Sequence, residues 1–107
     1  GLSVEIMERI VDKFIAELEI QLSEKRIYFE LTASARLWLA ENGYDPAFGA
    51  RPLARLIQTE IKDVLADEIL FGRLQNGGRV QIDRFDSKTS QDYMRASENL
   101  TFSFLER

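Results

Sequence analysis

From Val4 to Leu22 the apolar residues Val4, Met7, Ile10, Val11, Phe14, Ile15, Leu18 and Leu22 return every three or four positions. That spacing makes one continuous stripe only on an α-helix, and so wide a stripe must be covered by the rest of a fold. It predicts a helix over about residues 4–24, roughly 30 Å long at ~1.5 Å per residue, with Ser3 as its N-cap. The period then changes. Ile27, Phe29 and Leu31 alternate with Tyr28 and Glu30, the pattern of a short strand. Thr32 caps a second helix, Ala33 to about Asn42, and Gly43 is its stop. Pro52 suits the first turn of a third helix, in which Leu53, Leu56, Ile57, Ile61, Val64, Leu65 and Ile69 keep helical spacing until Gly72. Asn76-Gly77-Gly78 is a turn into a strand over Val80–Phe85. Leu100, Phe102 and Phe104 alternate with Thr101 and Ser103 in a third strand, and the polar stretch Asp86–Asn99 reads as an exposed loop with at most one helical turn.

These elements predict an α+β fold, three helices packed on one face of a small, mainly antiparallel sheet of about three strands. The last two strands pair most simply as a hairpin with a long loop. A chain of 107 residues has room for one hydrophobic core, so residues 1–107 are expected to form a single domain. Phe14, Phe29, Trp38, Phe102 and Phe104 are expected in that core.

What is missing narrows the chemistry. With no cysteine and no histidine, disulfides, thiol nucleophiles, Ser-His triads and nearly all zinc sites are excluded. No Asp-rich loop offers a hard cation a cage, and neither a G-x-x-x-x-G-K-[ST] nor a G-x-G-x-x-G sequence occurs. No catalytic or metal residue is therefore expected. The net charge of −4 argues against nonspecific nucleic-acid binding. The acidic excess lies in residues 1–50, however, while the second half holds Arg51, Arg55, Arg73, Arg79 and Arg84, so an anion could be met locally. No apolar run approaches the ~20 residues that span a bilayer, and the first residues do not read as a signal peptide. The expected location is the cytoplasm, with no membrane partner. The carboxylates of the first helix read as a solvated outward face.

One loop looks specialised, Gly-Tyr-Asp-Pro-Ala-Phe-Gly-Ala-Arg over residues 43–51. Asp45-Pro46 starts a turn, and Gly49 frees the backbone for a close approach or a positive φ. Arg51 leaves from the very start of the third helix, where free N–H groups and the helix dipole favour an anion. Gly49 and Ala50 leave little bulk beside it. The alternative is that Arg51 pairs with Asp45, Glu41 or another local carboxylate and only holds the loop.

Residues 43–58, Gly-Tyr-Asp-Pro-Ala-Phe-Gly-Ala-Arg-Pro-Leu-Ala-Arg-Leu-Ile-Gln, resemble the sensor-2 segment of the Clp-family AAA+ unfoldases. The likeness continues through Ile61, Leu65, Ala66, Ile69 and Gly72 into Asn-Gly-Gly-Arg-Val, and covers most of residues 4–85. It implies the C-terminal small domain, or lid, of a second ATPase module, a fragment of a longer chain. On this resemblance Arg51 reaches the γ-phosphate of ATP held with Mg²⁺ by the large domain, and the implied cofactor-binding residues are Arg51 and Ala50. The parent would hydrolyse ATP, while the fragment, without Walker motifs, would be inactive. Val11-Asp12-Lys13-Phe14-Ile15 with Leu18 and Leu22, and Leu65–Gly72, look like the A-type unfoldase, ClpA. That implies a hexamer whose lid contacts the large domains of its own and the neighbouring subunit. It also implies protein substrates and the ClpP protease as partners. The alternatives are the lid of a B-type disaggregase, ClpB, with no protease partner, and a free-standing protein-interaction domain with no nucleotide role. Residues 86–107 depart from the family pattern, and Ser-Gln-Asp-Tyr-Met-Arg looks like an extended hairpin loop.

Overall fold

The computed structural model describes residues 3–85 and 94–105. Helix α1 (Val4–Ser23) begins where the Ile6 N–H donates to the Ser3 hydroxyl at 3.2 Å. Strand β1 (Ile27–Leu31) follows, and helix α2 (Ala33–Asn42) is capped in the same way, with the Ala35 N–H donating to Thr32 Oγ1 at 3.2 Å. These caps satisfy N–H groups that the first helical turn leaves without partners.

The third helical stretch is one rod in three parts: α3 (Arg51–Ile57), a π turn (Gln58–Lys62) and α4 (Asp63–Phe71). Gln58, Lys62 and Asp63 all keep right-handed helical torsions, so the chain does not break at either junction. The apolar spacing explains the π turn. Leu53, Ile57, Ile61 and Leu65 recur every four residues and are all buried. On a plain α-helix each such step drifts about 40° round the axis, since one turn takes ~3.6 residues. The wider π turn takes up part of that drift and keeps the four side chains on one buried face.

Strands β2 (Gly78–Arg84), β3 (Met94–Ala96) and β4 (Leu100–Leu105) complete a four-stranded sheet of order β1-β2-β4-β3. β1 runs parallel to β2, with Phe29 opposite Val80, and β2 runs antiparallel to β4, with Ile82 opposite Phe102. β3 turns back along β4, with Arg95 opposite Phe102. Ile27 and Phe29, Val80 and Ile82, and Leu100 and Phe102 are buried on the face that the helices cover. They share one hydrophobic cluster with Met7, Val11, Ile15, Leu18 and Leu22 of α1 and with Leu39, Leu53, Ile57, Ile61 and Leu65. The result is an α+β fold, three helical rods on a mixed sheet.

Several expectations need correction. The sheet has four strands, because Met94–Ala96, expected in a loop, pairs with β4. The rest of that expected loop, residues 86–93, lies outside the described residues. Phe29 and Phe102 are buried, but Phe14, Trp38 and Phe104 are half-buried and flank the core. Trp38 closes its edge beneath the Arg84 guanidinium, 5.3 Å from the ring centroid. Nor is the acidic face of α1 merely solvated. Arg36 of α2 donates to both Asp12 oxygens at 2.8 and 2.7 Å and to Glu8 at 3.0 Å, tying the two helices together. The Asp12 hydrogen bonds raise the Arg36 pKa above its already high value, so this clamp keeps its positive charge at any working pH.

Complete burial against half-burial sets the expected mutational costs. Phe102→Ala should cost about 3–5 kcal/mol, while Trp38→Ala should cost only about 1–2 kcal/mol of lost contact and ring–cation attraction. Urea melts of the two variants check the order; equal losses would make Trp38 a core residue after all.

Candidate functional site: the loop before the third helix

The loop closes on itself at its base. The Asp45 N–H donates to the Gly49 carbonyl at 2.8 Å, and the Gly49 N–H donates back at 2.7 Å. Inside the ring, Asp45 Oδ1 accepts the N–H groups of Ala47 at 2.7 Å and Phe48 at 3.1 Å. This is how Asp stabilises a tight turn, and Pro46 suits the position between. Gly49 is there for its torsion: its φ is +65, and a Cβ would meet nothing within 4 Å. Gly43 is there for space instead. Its φ of −89 is open to any residue, but a Cβ would lie 2.7 Å from Leu53 Cδ1 and 2.8 Å from the Leu39 carbonyl. The stop of α2 is thus also the point where the third rod packs against it.

Arg51 is exposed at the start of α3, with its guanidinium 5.8 Å from the centroid of the exposed Phe48 ring. It makes no ion pair among the described residues. Asp45, one of its possible partners, has turned its carboxylate into the loop. Ala50 is half-buried against the core and presents little bulk beside Arg51. One expectation fails here. The helix start was to offer several free N–H groups, but the Arg51 N–H goes to the Phe48 carbonyl at 3.3 Å and the Leu53 N–H to the Ala50 carbonyl at 3.1 Å. Pro52 has none to give. The attraction for an anion therefore rests on the Arg51 side chain rather than on the backbone.

Arg55 was missed as a site residue, although its spacing of four from Arg51 was legible. It too is exposed, on the same side of the rod one turn further on. With Asn42, Pro52, Leu56 and Thr59 it lines an open hollow of about 210 Å³. Arg51 at the end of the closed loop and Arg55 at the hollow are two exposed cations on one side of the rod, suited to a polyanion carried by another body. Among the described residues no carboxylate lines the hollow, so the arrangement is suited to attract an anion.

The loop's construction sets expected stabilities. Gly49→Ala should cost about 1–2 kcal/mol, the penalty of a left-handed torsion, whereas Gly49→Asn should cost less. Arg51→Ala should change the stability of this chain by under about 0.5 kcal/mol, as for an exposed residue outside any network. Thermal melts of the three variants check both statements; a large loss for Arg51→Ala would make it a structural staple.

Residues 2–82 match the family model described as the C-terminal, D2-small domain of ClpB protein. The chain is 50% identical over 78 residues to the "ClpA homolog protein" of Fuscovulum blasticum, covering 73% of this chain and 10% of that protein. It is 49% identical over 85 residues to the "Chaperone protein ClpB" of Corynebacterium efficiens, covering 79% of this chain and 10% of that one. With the "Chaperone protein ClpB" of Corynebacterium glutamicum the identity is 46% over 95 residues, 89% of this chain and 11% of the relative. The chain thus spans about a tenth of the length of the curated relatives it matches. Over most of its length, the chain belongs to the family of C-terminal D2-small domains of the ClpB and Clp ATPases.

Proposed function

We propose that this chain is the lid of the second ATPase module of a longer Clp-type chain, a single domain that brings Arg51 to ATP held by the large domain. The observation that carries this reading is the Arg51 side chain, exposed, without a carboxylate partner among the described residues, and set on a loop closed by its own hydrogen bonds. A rigid mount matters, because an arginine that must find a γ-phosphate gains most when its base does not move. Ala50 would line the same contact by leaving room for it. The large domain would supply the phosphate loop and Mg²⁺. A lid that grips ATP and ADP differently would shift its angle after hydrolysis, and a neighbouring subunit packed on it would move too. The parent would work in the cytoplasm as a hexamer that remodels protein substrates.

Two types of parent fit. The A-type reading rests on Val11–Ile15 and Leu65–Gly72, and carries ClpP as partner. The B-type reading, a disaggregase without a protease, is favoured by the ClpB family description and by the relatives named ClpB. Co-purification of the parent hexamer with ClpP in the presence of ATP decides between them.

In the parent, Arg51→Ala should weaken ATP binding or turnover about ten- to a hundredfold, the worth of a charge-assisted hydrogen bond to phosphate. The loss should be smaller for ADP, and Arg51→Lys should rescue poorly, because an ammonium lacks the guanidinium fork. Calorimetric titration with both nucleotides tests this; equal losses would end the γ-phosphate reading.

The chain by itself should hydrolyse no ATP, since it has neither phosphate loop nor Mg²⁺ ligands. Phosphate release by purified protein, abolished by a carboxylate substitution within these residues, would overturn that.

A further inference from the structure

At the far end of the α3–α4 rod from Arg51, β1 and β2 begin and β4 ends. Two open cavities lie there, on either side of the Asn76-Gly77-Gly78 turn. One, of about 340 Å³, is lined by residues 72–79 with Phe104 and Leu105. The other, of about 380 Å³, is lined by Arg26, Tyr28, Asn76, Gly78 and Arg79. Asn76, Gly78 and Arg79 line both, so the two cavities adjoin along this turn and are taken together as one trough.

Its chemistry is one-sided. The chain has 18 Asp and Glu against 14 Lys and Arg, yet no carboxylate lines either cavity among the described residues. Arg26, Arg73 and Arg79 all do. Arg79 lies over the Tyr28 ring at 5.8 Å and Arg73 over the Phe104 ring at 5.2 Å. Held over the Tyr28 ring, the Arg79 guanidinium loses little further freedom when it takes a carboxylate. Arg26 is fixed by its backbone. It holds a φ of 61, rare for a residue other than glycine, while its carbonyl accepts the Gly78 N–H at 3.0 Å. Apolar surface adjoins the charge. Leu70 and Phe71, just before the Gly72 wall, are 65% and 76% exposed, and Leu105 on the opposite wall is 43% exposed.

We propose that this trough docks an acidic peptide segment of a partner protein, one that carries carboxylates for Arg26 and Arg79 and an apolar side chain for the Phe71 and Leu105 surface. Charge complementarity selects the occupant: a net charge of −4 repels long polyanions such as nucleic acid, whereas a short acidic segment meets only the local positive field. The exposed Leu70, Phe71 and Leu105 favour a peptide over a bare phosphate, which has nothing to place there. The site is separate from Arg51, and its test does not involve ATP.

A fluorescein-labelled peptide of Glu-Glu-Leu repeats, titrated with this chain and followed by anisotropy at physiological ionic strength, tests the proposal. Saturable binding is expected, weakened at least about tenfold by Arg79→Glu and about threefold by Leu105→Ser. Arg79→Gln, which removes the charge without reversing it, should weaken binding while circular dichroism and melting stay those of the parent protein. Arg9→Glu, on α1 away from the trough, should leave the affinity unchanged. The proposal is overturned by an absence of saturable binding, or by an affinity unchanged in Arg79→Gln. It is equally overturned if Leu105→Ser has no effect and oligothymidylate competes as well as unlabelled peptide, since the trough would then be a plain anion patch.

Discussion

Leu53 lies so close over Gly43 that even a methyl group there would meet it at 2.7 Å, and this contact sets the distance between α2 and the third rod. The Gly43–Arg51 loop must close within the gap that the contact leaves. It does so by pairing Asp45 with Gly49 and folding the Asp45 carboxylate onto the N–H groups of Ala47 and Phe48. Arg51 inherits its position from that closure. The packing of the Leu53 side chain on the bare backbone of Gly43 thus determines where a charged side chain stands at the surface. Any larger residue at position 43 would press on Leu53 and lift the rod, and with it the arginine, without touching the arginine itself.

Around this centre the elements are held by two clamps of the same kind. Arg36 joins α2 to Glu8 and Asp12 of α1, and Arg95 joins β3 to Asp67 and Glu68 of α4 at 2.6 and 2.9 Å. Both arginines are about a third exposed, so water and salt screen them, and each clamp contributes on the order of 1 kcal/mol or less. They orient elements more than they stabilise them. The energy lies in the buried stripe of α1 and the matching faces of the rod and sheet.

Much of this was legible in the chain. Ser3 and Thr32 announce their helices, since a hydroxyl before an apolar-periodic run has an N–H to accept. Strands β1 and β4 alternate plainly in sequence; in β1 burial follows that alternation, whereas in β4 Thr101 and Ser103 are buried as well. Strand β3 was hidden because Met94-Arg95-Ala96 has no alternation of its own, and only β4 makes it a strand. The clamps were hidden as well: the partners of Glu8, Asp12 and Arg95 come from other elements, which spacing along one helix cannot reveal. Arg51 could be picked out from Gly49 and Pro52 around it, but the loss of its neighbouring N–H groups to turn carbonyls could not. Gly43 was legible as the stop of α2, but the Leu53 side chain packed over it, from another element, was not.

The α3–α4 rod carries Arg51 at one end and leads into the Arg73–Arg79 trough at the other. Its 7, 5 and 9 residues make a lever of about 30 Å. Were it to pivot near Arg51 by about 10°, the trough would sweep through roughly 5 Å at that length, far more than a carboxylate contact tolerates. The π turn near its middle interrupts the regular α-helical hydrogen-bond ladder of such a lever. Bending stiffness there decides how much of a displacement at one end is felt at the other.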